Sequence, residues 1–279
     1  MVIDFHTHVF PAKLRDNRAR YAAADVAFAM LYADPKARMA TADELIASMD
    51  EAGIEASMIV NYGWATHELC VETNDYILES AVRFPGRLFG FCAVQPDETD
   101  KAVKEIERCA RAGARGIGEL RPDIQLKAFP DTSRLVALGK SLKQHNLMLM
   151  LHASEPVGHQ YPGKGDFTPG LLYQVIGQLP DVTIVCAHFG GGLPFYALMP
   201  EVKKTLKNVY FDSAASPYLY QPQVFARVAD MAGADHVLFG TDWPLMPPAR
   251  ILIEIDAVGL TAEAKNQITS GNARRLLNL

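Results

Sequence analysis

The chain has 279 residues, of which 49% are hydrophobic and 21% charged, and its formal net charge is −5. A chain of this length and ordinary globular composition can bury a sizeable core without disulfides. The charges are interspersed with no long basic run, which argues against a nucleic-acid groove and against a polybasic membrane patch.

The N-terminal residues and the cysteines indicate the cellular compartment in which we expect the protein. The opening residues MVIDFHTH lack a basic segment followed by an apolar one, and no apolar run approaches the ~20 residues that span a bilayer. None of the four cysteines belongs to a CxxC pair, and Cys92 and Cys186 lie inside apolar runs typical of buried thiols. We therefore expect a reduced, cytoplasmic protein without a signal peptide.

Short apolar runs alternate with amphipathic stretches from one end of the chain to the other. The runs stay apolar along their length, as strands buried on both faces of a parallel sheet do. Eight such strands separated by helices predict a single-domain (β/α)8 TIM barrel over residues 1–279, with an open doubly wound sheet as the structural alternative. The predicted strands are Val2–Phe5, Ala56–Val60, Leu88–Val94, Ala114–Leu120, Leu147–Leu151, Val182–Ala187, Val209–Asp212 and Val237–Gly240.

Two segments between the strands are also informative. Thr41-Ala-Asp-Glu44 has the form of a capping box, and it predicts a helix that begins there and ends at Gly53. Residues 9–40 form a long connection after the first strand. Long loops at the mouth of a barrel often shape the substrate pocket, so this connection is a candidate wall of that pocket.

Residues of metal-ligand type lie where the predicted strands end. His6 and His8 point to the same side of an extended segment, because residues i and i+2 do so in a strand. The carboxyl ends of parallel strands meet at one mouth of a barrel, where active sites lie. We therefore expect a metal centre, and not polar residues that merely cap buried strands. Its candidate members are His6, His8, Glu119, His152, His188 and Asp242.

The motifs IDFHTH, LHAS, AHFGG and FGTDWP, in this order, resemble the amidohydrolase superfamily. They resemble more closely its amidohydrolase-2 branch, related to aminocarboxymuconate-semialdehyde decarboxylase, and the resemblance covers essentially the whole chain. It implies that His6, His8 and His152 bind a divalent metal. It also implies that Asp242 touches the metal and takes a proton from bound water. His188 then polarises the substrate, shuttles protons or binds a second metal.

Glu119 departs from this resemblance. Decarboxylases of the branch usually lack a carboxylate at the end of the fourth strand, whereas hydrolytic relatives carry a bridging carboxylate or a modified lysine there. Glu119 is therefore expected to complete a site for one ion or to bridge two, with a hydrogen bond to a ligand histidine as the alternative. Imidazole and carboxylate ligands suit zinc, the first expectation, and also manganese or iron.

Three further residues are candidates for binding substrate. Arg121 follows Glu119 by two positions and is suited to clamp a substrate carboxylate, with a salt bridge to a neighbouring loop as the alternative. Trp64 and His67 lie in the loop after the second strand, which faces the mouth, and ordinary loop packing is the alternative for both. The polar loop EPVGHQYPGKGD after the fifth strand is either a lid or mobile surface.

The expected reaction starts from a metal-activated water. A divalent ion lowers the pKa of its bound water to about 7, and Asp242 can deprotonate that water while the metal or His188 stabilises the oxyanion. We therefore expect a hydrolase of a small amide, lactone or other ester, with Asp242 and His188 as catalytic residues. The alternative is a non-oxidative decarboxylase or hydratase of a small carboxylic acid, and a barrel that binds a ligand without turnover is a third hypothesis. The expected partner is a small molecule, and the resemblance implies a homodimer.

Overall fold

The computed structural model describes residues 1–279 and contains one sheet of eight parallel strands, each paired with the next in chain order. Helices lie between the strands, so the predicted (β/α)8 barrel is confirmed. The strands are β1 (Val2–Thr7), β2 (Ile54–Val60), β3 (Leu88–Cys92), β4 (Gly116–Leu120), β5 (Met148–Leu151), β6 (Ile184–Cys186), β7 (Val209–Asp212) and β8 (Val237–Leu238).

Backbone hydrogen bonds join β1 to the segment after β8 and so close the barrel. The amide of Phe5 donates to the carbonyl of Phe239 at 2.7 Å. The amide of Asp242 donates to the carbonyl of His6 at 2.8 Å, and that of His8 donates to Trp243 at 2.7 Å. This closure places the two histidines of β1 beside Asp242, although the two segments are at opposite ends of the chain.

The helices surround the sheet and fill the connections. The predicted capping box is present, because the Thr41 side chain accepts from the amide of Glu44, the Glu44 side chain accepts from the amide of Thr41, and this helix is followed by a left-handed Gly53. The α-helices are α1 (Ala12–Asp16), α2 (Arg18–Ala24), α3 (Val26–Tyr32), α4 (Ala42–Ala52), α5 (His67–Arg83), α6 (Thr99–Arg111), α7 (Pro122–Gln125), α8 (Ser133–Ala137), α9 (Gly139–Gln144), α10 (Pro169–Gln178), α11 (Pro200–Thr205), α12 (Ser216–Leu219), α13 (Val224–Met231), α14 (Pro248–Ala257), α15 (Ala262–Asn266) and α16 (Asn272–Leu277). Short 3-10 segments span Pro96–Glu98, Leu206–Asn208 and Ala234–His236, and a π turn spans Gln267–Gly271. The segment His188–Tyr196 begins with five residues of positive φ and forms a turn after β6.

Buried side chains form two layers, one on each face of the sheet. The larger cluster has 59 residues between strands and helices, and a smaller one of 13 residues, including Phe91 and Met150, fills the inside of the barrel. No side chain of β4 belongs to the smaller cluster, because its inner positions are glycine. A Cβ on Gly116 would stand 2.0 Å from the Phe91 ring, and one on Gly118 would stand 2.5 Å from the Met150 carbonyl oxygen. The glycines of β4 therefore make room for large side chains on its neighbours.

The turn after β6 requires glycine at Gly191. Its φ is +61°, and a Cβ there would lie 2.5 Å from the carbonyl oxygen of Ser154. Gly191→Ala adds left-handed strain and a clash with backbone, so we expect the free energy of unfolding to fall by about 2–4 kcal/mol in urea titrations. Gly177→Ala is the matched control, since this exposed site in α10 has open space around it and alanine favours the helix by up to about 1 kcal/mol. Equal effects of the two substitutions would contradict this account.

Two further observations concern the sequence expectations. No helix of the protein combines the length and the apolar character needed to cross a bilayer. All four cysteines are unpaired and buried, which confirms the buried thiols expected at Cys92 and Cys186.

Candidate metal centre

The six residues predicted as a metal centre meet at the carboxyl ends of the strands. His6 lies in β1 and Glu119 in β4, and the other four follow their strands directly or within a few residues. All are buried except Asp242, which is partly exposed. The members of this cluster are His6, His8, Glu119, His152, His188 and Asp242.

His6, His8 and Asp242 form one part of the cluster. The Nε2 atoms of the two histidines are 3.1 Å apart, and Oδ1 of Asp242 is 3.2 Å from Nε2 of His8. The Oε2 atom of Glu119 lies 3.7 Å from Nε2 of His6 and 3.8 Å from Nε2 of His8. Two donors about 2.1 Å from a shared ion, at angles of about 90–110°, stand about 3.0–3.4 Å apart, so the shorter spacings are those of ligands to one metal.

The hydrogen bonds on the far side of each ring support the same conclusion. Nδ1 of His6 faces a carboxylate oxygen of Asp212 at 2.9 Å, and Nδ1 of His8 faces the carbonyl oxygen of Val60 at 3.2 Å. These oxygens accept, so both Nδ1 atoms donate and the Nε2 atoms are the positions left for a shared proton or a metal ion. The two Nε2 atoms face each other at 3.1 Å, and a metal ion that binds both would replace the proton between them. The donors therefore fit a divalent metal ion.

Glu119 connects this part of the cluster to a second one. Its Oε1 atom lies 2.9 Å from Nδ1 of His152 and 3.3 Å from Nε2 of His188. Nδ1 of His188 donates to the carbonyl oxygen of Ala214 at 2.9 Å, which leaves Nε2 free to face the carboxylate. One carboxylate is thus shared by two groups of possible ligands, the pair from β1 on one side and His152 with His188 on the other.

Carboxylates dominate the electrostatics of the centre. Burial opposes the charge of His6, but Asp212, Glu119 and Asp242 raise its pKa to about 10. Burial also favours neutral carboxyl groups, yet the surrounding imidazoles hold the pKa of Glu119 well below its usual range and lower that of Asp242 to about 2. Both carboxylates are therefore ionised at neutral pH, and the centre attracts positive charge.

A cavity of about 580 Å³ opens above the cluster, and all of its members except His6 line the cavity. Met30, Leu31 and Tyr32 of α3 form part of the wall, which confirms that the long connection after β1 shapes the pocket. His159 and Tyr161 also line it, so the polar loop after β5 reaches the mouth.

Arg121 lines this cavity, whereas Trp64 and His67 do not. Trp64 is fully buried, and its ring stacks on Phe28 at a centroid distance of 5.1 Å, so this side chain cannot reach a molecule in the cavity. His67 is the first residue of α5 and is not among the residues that line the cavity. The loop after β2 contributes Tyr62 instead.

Three residues of the site are absent from the sequence predictions. Asp212 ends β7, so the rule that selects residues at strand ends applies to it as well. Tyr62 lies in the loop that contains Trp64, but nothing in the sequence distinguishes the inward-facing aromatic residue from the packed one. Tyr32 belongs to the long connection, where local patterns do not predict which side chains face the barrel.

Comparisons with known proteins identify relatives of the whole chain. The family model described as Amidohydrolase matches residues 3–279. Gamma-resorcylate decarboxylase from Polaromonas sp. is 22% identical, covering 85% of this chain and 87% of that protein. The 6-methylsalicylic acid decarboxylase from Penicillium expansum is 26% identical, covering 67% of this chain and 68% of that protein.

A solved structure has the same barrel fold. It is 5-carboxyvanillate decarboxylase from Novosphingobium aromaticivorans, complexed with manganese and 4-hydroxy-3-methoxy-5-nitrobenzoic acid. The TM-score is 0.80 at 18% identity, and the match covers 100% of this chain and 96% of that one.

The expectation of a hydrolase is contradicted by these comparisons, because the related proteins are decarboxylases. The physical reason for the error is that hydrolysis and decarboxylation use the same kinds of metal ligand, so the ligands alone do not say which bond breaks. The carboxylate of Glu119 was the feature favouring hydrolysis. Its contacts with ligand histidines on both sides are equally suited to a centre that performs another reaction.

Proposed function

Because this chain belongs to the amidohydrolase family of enzymes, we propose that it is a metal-dependent decarboxylase that removes CO2 from a small carboxylic acid without oxidation. The histidine and carboxylate cluster at the base of a cavity of about 580 Å³ supports the dependence on a metal and a small-molecule substrate, and the related decarboxylases support the loss of CO2. The two relatives are named for the aromatic acids gamma-resorcylate and 6-methylsalicylic acid, which supports an aromatic or unsaturated acid as substrate.

We place one divalent ion among His6, His8, Glu119, His152 and Asp242. The ligand spacings around His8 support this position, and the shared carboxylate links His152 to it. Manganese is the first ion to test, because the similar solved structure contains it. Nitrogen and oxygen donors can bind manganese, and they can also bind zinc. When bound, the ion supplies positive charge that stabilises the electron density left on the substrate as CO2 departs.

The cavity also supplies groups that handle the proton. Loss of CO2 breaks a carbon–carbon bond and leaves its electron pair on the substrate carbon, so one proton must be delivered to that carbon. Asp242 has the most exposed side chain of the cluster, at 15%, and is ionised at neutral pH. We therefore assign to its carboxylate the uptake of one proton from water in the cavity and the transfer of that proton to the substrate carbon. We assign to His188 a hydrogen bond to the substrate, because Ala214 fixes the orientation of its ring.

Release of CO2 tests the proposed function. The chain is stripped of metal, reloaded with Mn²⁺ or Zn²⁺, and assayed with hydroxybenzoic acids and small unsaturated acids. We expect at least one acid to release CO2 in proportion to the bound ion, and reaction in D2O to place deuterium at the former carboxyl position. A fully loaded chain that releases no CO2 from any acid would contradict the proposal.

Asp212 gives a prediction about metal affinity. Its Oδ2 atom accepts from His6, and its Oδ1 atom accepts from the amides of His188 and Ala214. Asp212→Asn removes the charge that orients the His6 ring, so we expect metal affinity to fall about 10–100-fold. Titration of the metal-free chain with Mn²⁺ measures the change, with the exposed Asp230→Asn as control. Equal affinity of both variants would show that Asp212 does not support the metal.

A further inference from the structure

Arg121 has guanidinium nitrogens without hydrogen-bond partners and lines the wall of the cavity. The residue is only 2% exposed. Its Nη2 atom donates to the carbonyl oxygen of Gly163 at 2.8 Å and lies 3.6 Å from Oδ2 of Asp123. Its Nε and Nη1 atoms have no hydrogen-bond partner. Buried guanidinium groups are normally paired, so two unpaired nitrogens indicate a group that arrives with a ligand.

The hydroxyl group of Tyr62 lies beside this arginine and is also unpartnered. It is buried, it belongs to a residue that lines the same cavity, and no protein group accepts its hydrogen. Burial raises the pKa of Tyr62, and the positive charge of the neighbouring Arg121 guanidinium offsets part of that rise. The hydroxyl therefore stays protonated and is available as a donor. A cation and a neutral donor side by side are complementary to a carboxylate.

The carboxylate held there is not the one that leaves. CO2 carries no charge, so the departing carboxylate loses its negative charge as the bond breaks. A guanidinium paired with it would stabilise the acid more than the transition state and would slow the reaction. A cation fixed in the protein is better suited to a group whose charge persists through the reaction.

Resting on the proposed function, we propose that the substrate is a diacid whose second carboxylate is held by Arg121 and Tyr62 while the first is lost beside the metal centre. This assignment makes the two residues determinants of specificity for the reaction. Arg38 is exposed and lines the same cavity, so it provides a matched comparison for nonspecific attraction of anions.

Binding of matched acids to the manganese-loaded chain tests this assignment. Salicylate has one carboxylate, and 2-hydroxyisophthalate, 4-hydroxyisophthalate and 2-hydroxyterephthalate are salicylates with a second one at different ring positions. By calorimetry, we expect at least one diacid to bind about tenfold or more tightly than salicylate. Arg121→Gln should abolish that preference, so that the diacid and salicylate bind with similar affinity. Tyr62→Phe should reduce the preference, and Arg38→Gln should retain it.

Two outcomes would overturn the inference. Either wild type prefers no diacid, or the preference survives in Arg121→Gln. If Arg121→Gln does not fold, as judged by thermal melting, Tyr62→Phe carries the same comparison. Failure here is distinct from failure of the proposed function. A chain that prefers diacids but releases no CO2 contradicts only the reaction, and one that releases CO2 from monoacids but prefers no diacid contradicts only the diacid site.

Discussion

Asp242→Asn is expected to keep the metal ion and to lower the rate of CO2 release about 10²–10⁴-fold. The amide has nearly the shape of the carboxylate and keeps an oxygen for the metal, but it cannot pass a proton to the substrate carbon. The expected loss is therefore in kcat, with little change in KM. Single-turnover and steady-state assays measure the rates, and elemental analysis of the same samples measures the ion.

The metal content decides how a result at Asp242 is interpreted. If the variant retains its ion and loses less than about tenfold in rate, another group delivers the proton. If it loses the ion, the expectation that the amide keeps the metal is wrong, and the loss of rate measures the ligand role of Asp242. Asp230→Asn is exposed and distant from the cluster, so it controls for the general effect of removing one carboxylate.

Glu119→Ala is expected to reduce the metal content from about one ion per chain to nearly none, and to abolish turnover. The reason is that this carboxylate lies between the two histidine groups of the centre, within 3.7 Å of His6 Nε2 and 2.9 Å of His152 Nδ1. Its removal leaves the imidazoles of both groups without their shared anion. Glu119→Gln, which keeps the shape, distinguishes loss of charge from loss of packing, and the exposed Glu51→Ala is the control.

The ion count in wild type also tests the arrangement proposed around Glu119. Two ions per chain would show that His152 and His188 hold a metal of their own with Glu119 as the bridge, and the single-ion assignment would be wrong. An unchanged ion content in Glu119→Ala would show that His6, His8 and Asp242 are sufficient ligands. Both results come from elemental analysis of identically purified proteins.

The barrel and the members of the centre can be predicted from the sequence because they depend on local rules. Continuous apolar runs mark strands buried on both faces, and the carboxyl ends of such strands share one mouth. His6 and His8 satisfy a two-residue period, and Asp242 lies two residues after the last predicted strand, Val237–Gly240. The resemblance to the amidohydrolases rests on these same residues, and the family match confirms it.

The reaction could not be derived in the same way. The resemblance makes Glu119 a feature of hydrolases, but a carboxylate at that position identifies a ligand and not the bond that breaks. Only the relatives named as decarboxylases shift the balance to loss of CO2. Metal sites of similar composition serve many reactions, because the substrate and the wall of the cavity select the chemistry.

The sequence by itself determined which strands exist and which metal-binding side chains stand at their ends, since both follow from side-chain chemistry at short range. The tertiary structure alone decided which groups meet. Asp212 supports His6 across 206 residues of chain, and the loop after β2 turns Tyr62 toward the cavity while it buries Trp64. Such contacts depend on packing between distant segments, which no local pattern records. For the same reason the unpartnered nitrogens of Arg121 become visible only once every neighbour of the guanidinium is in place.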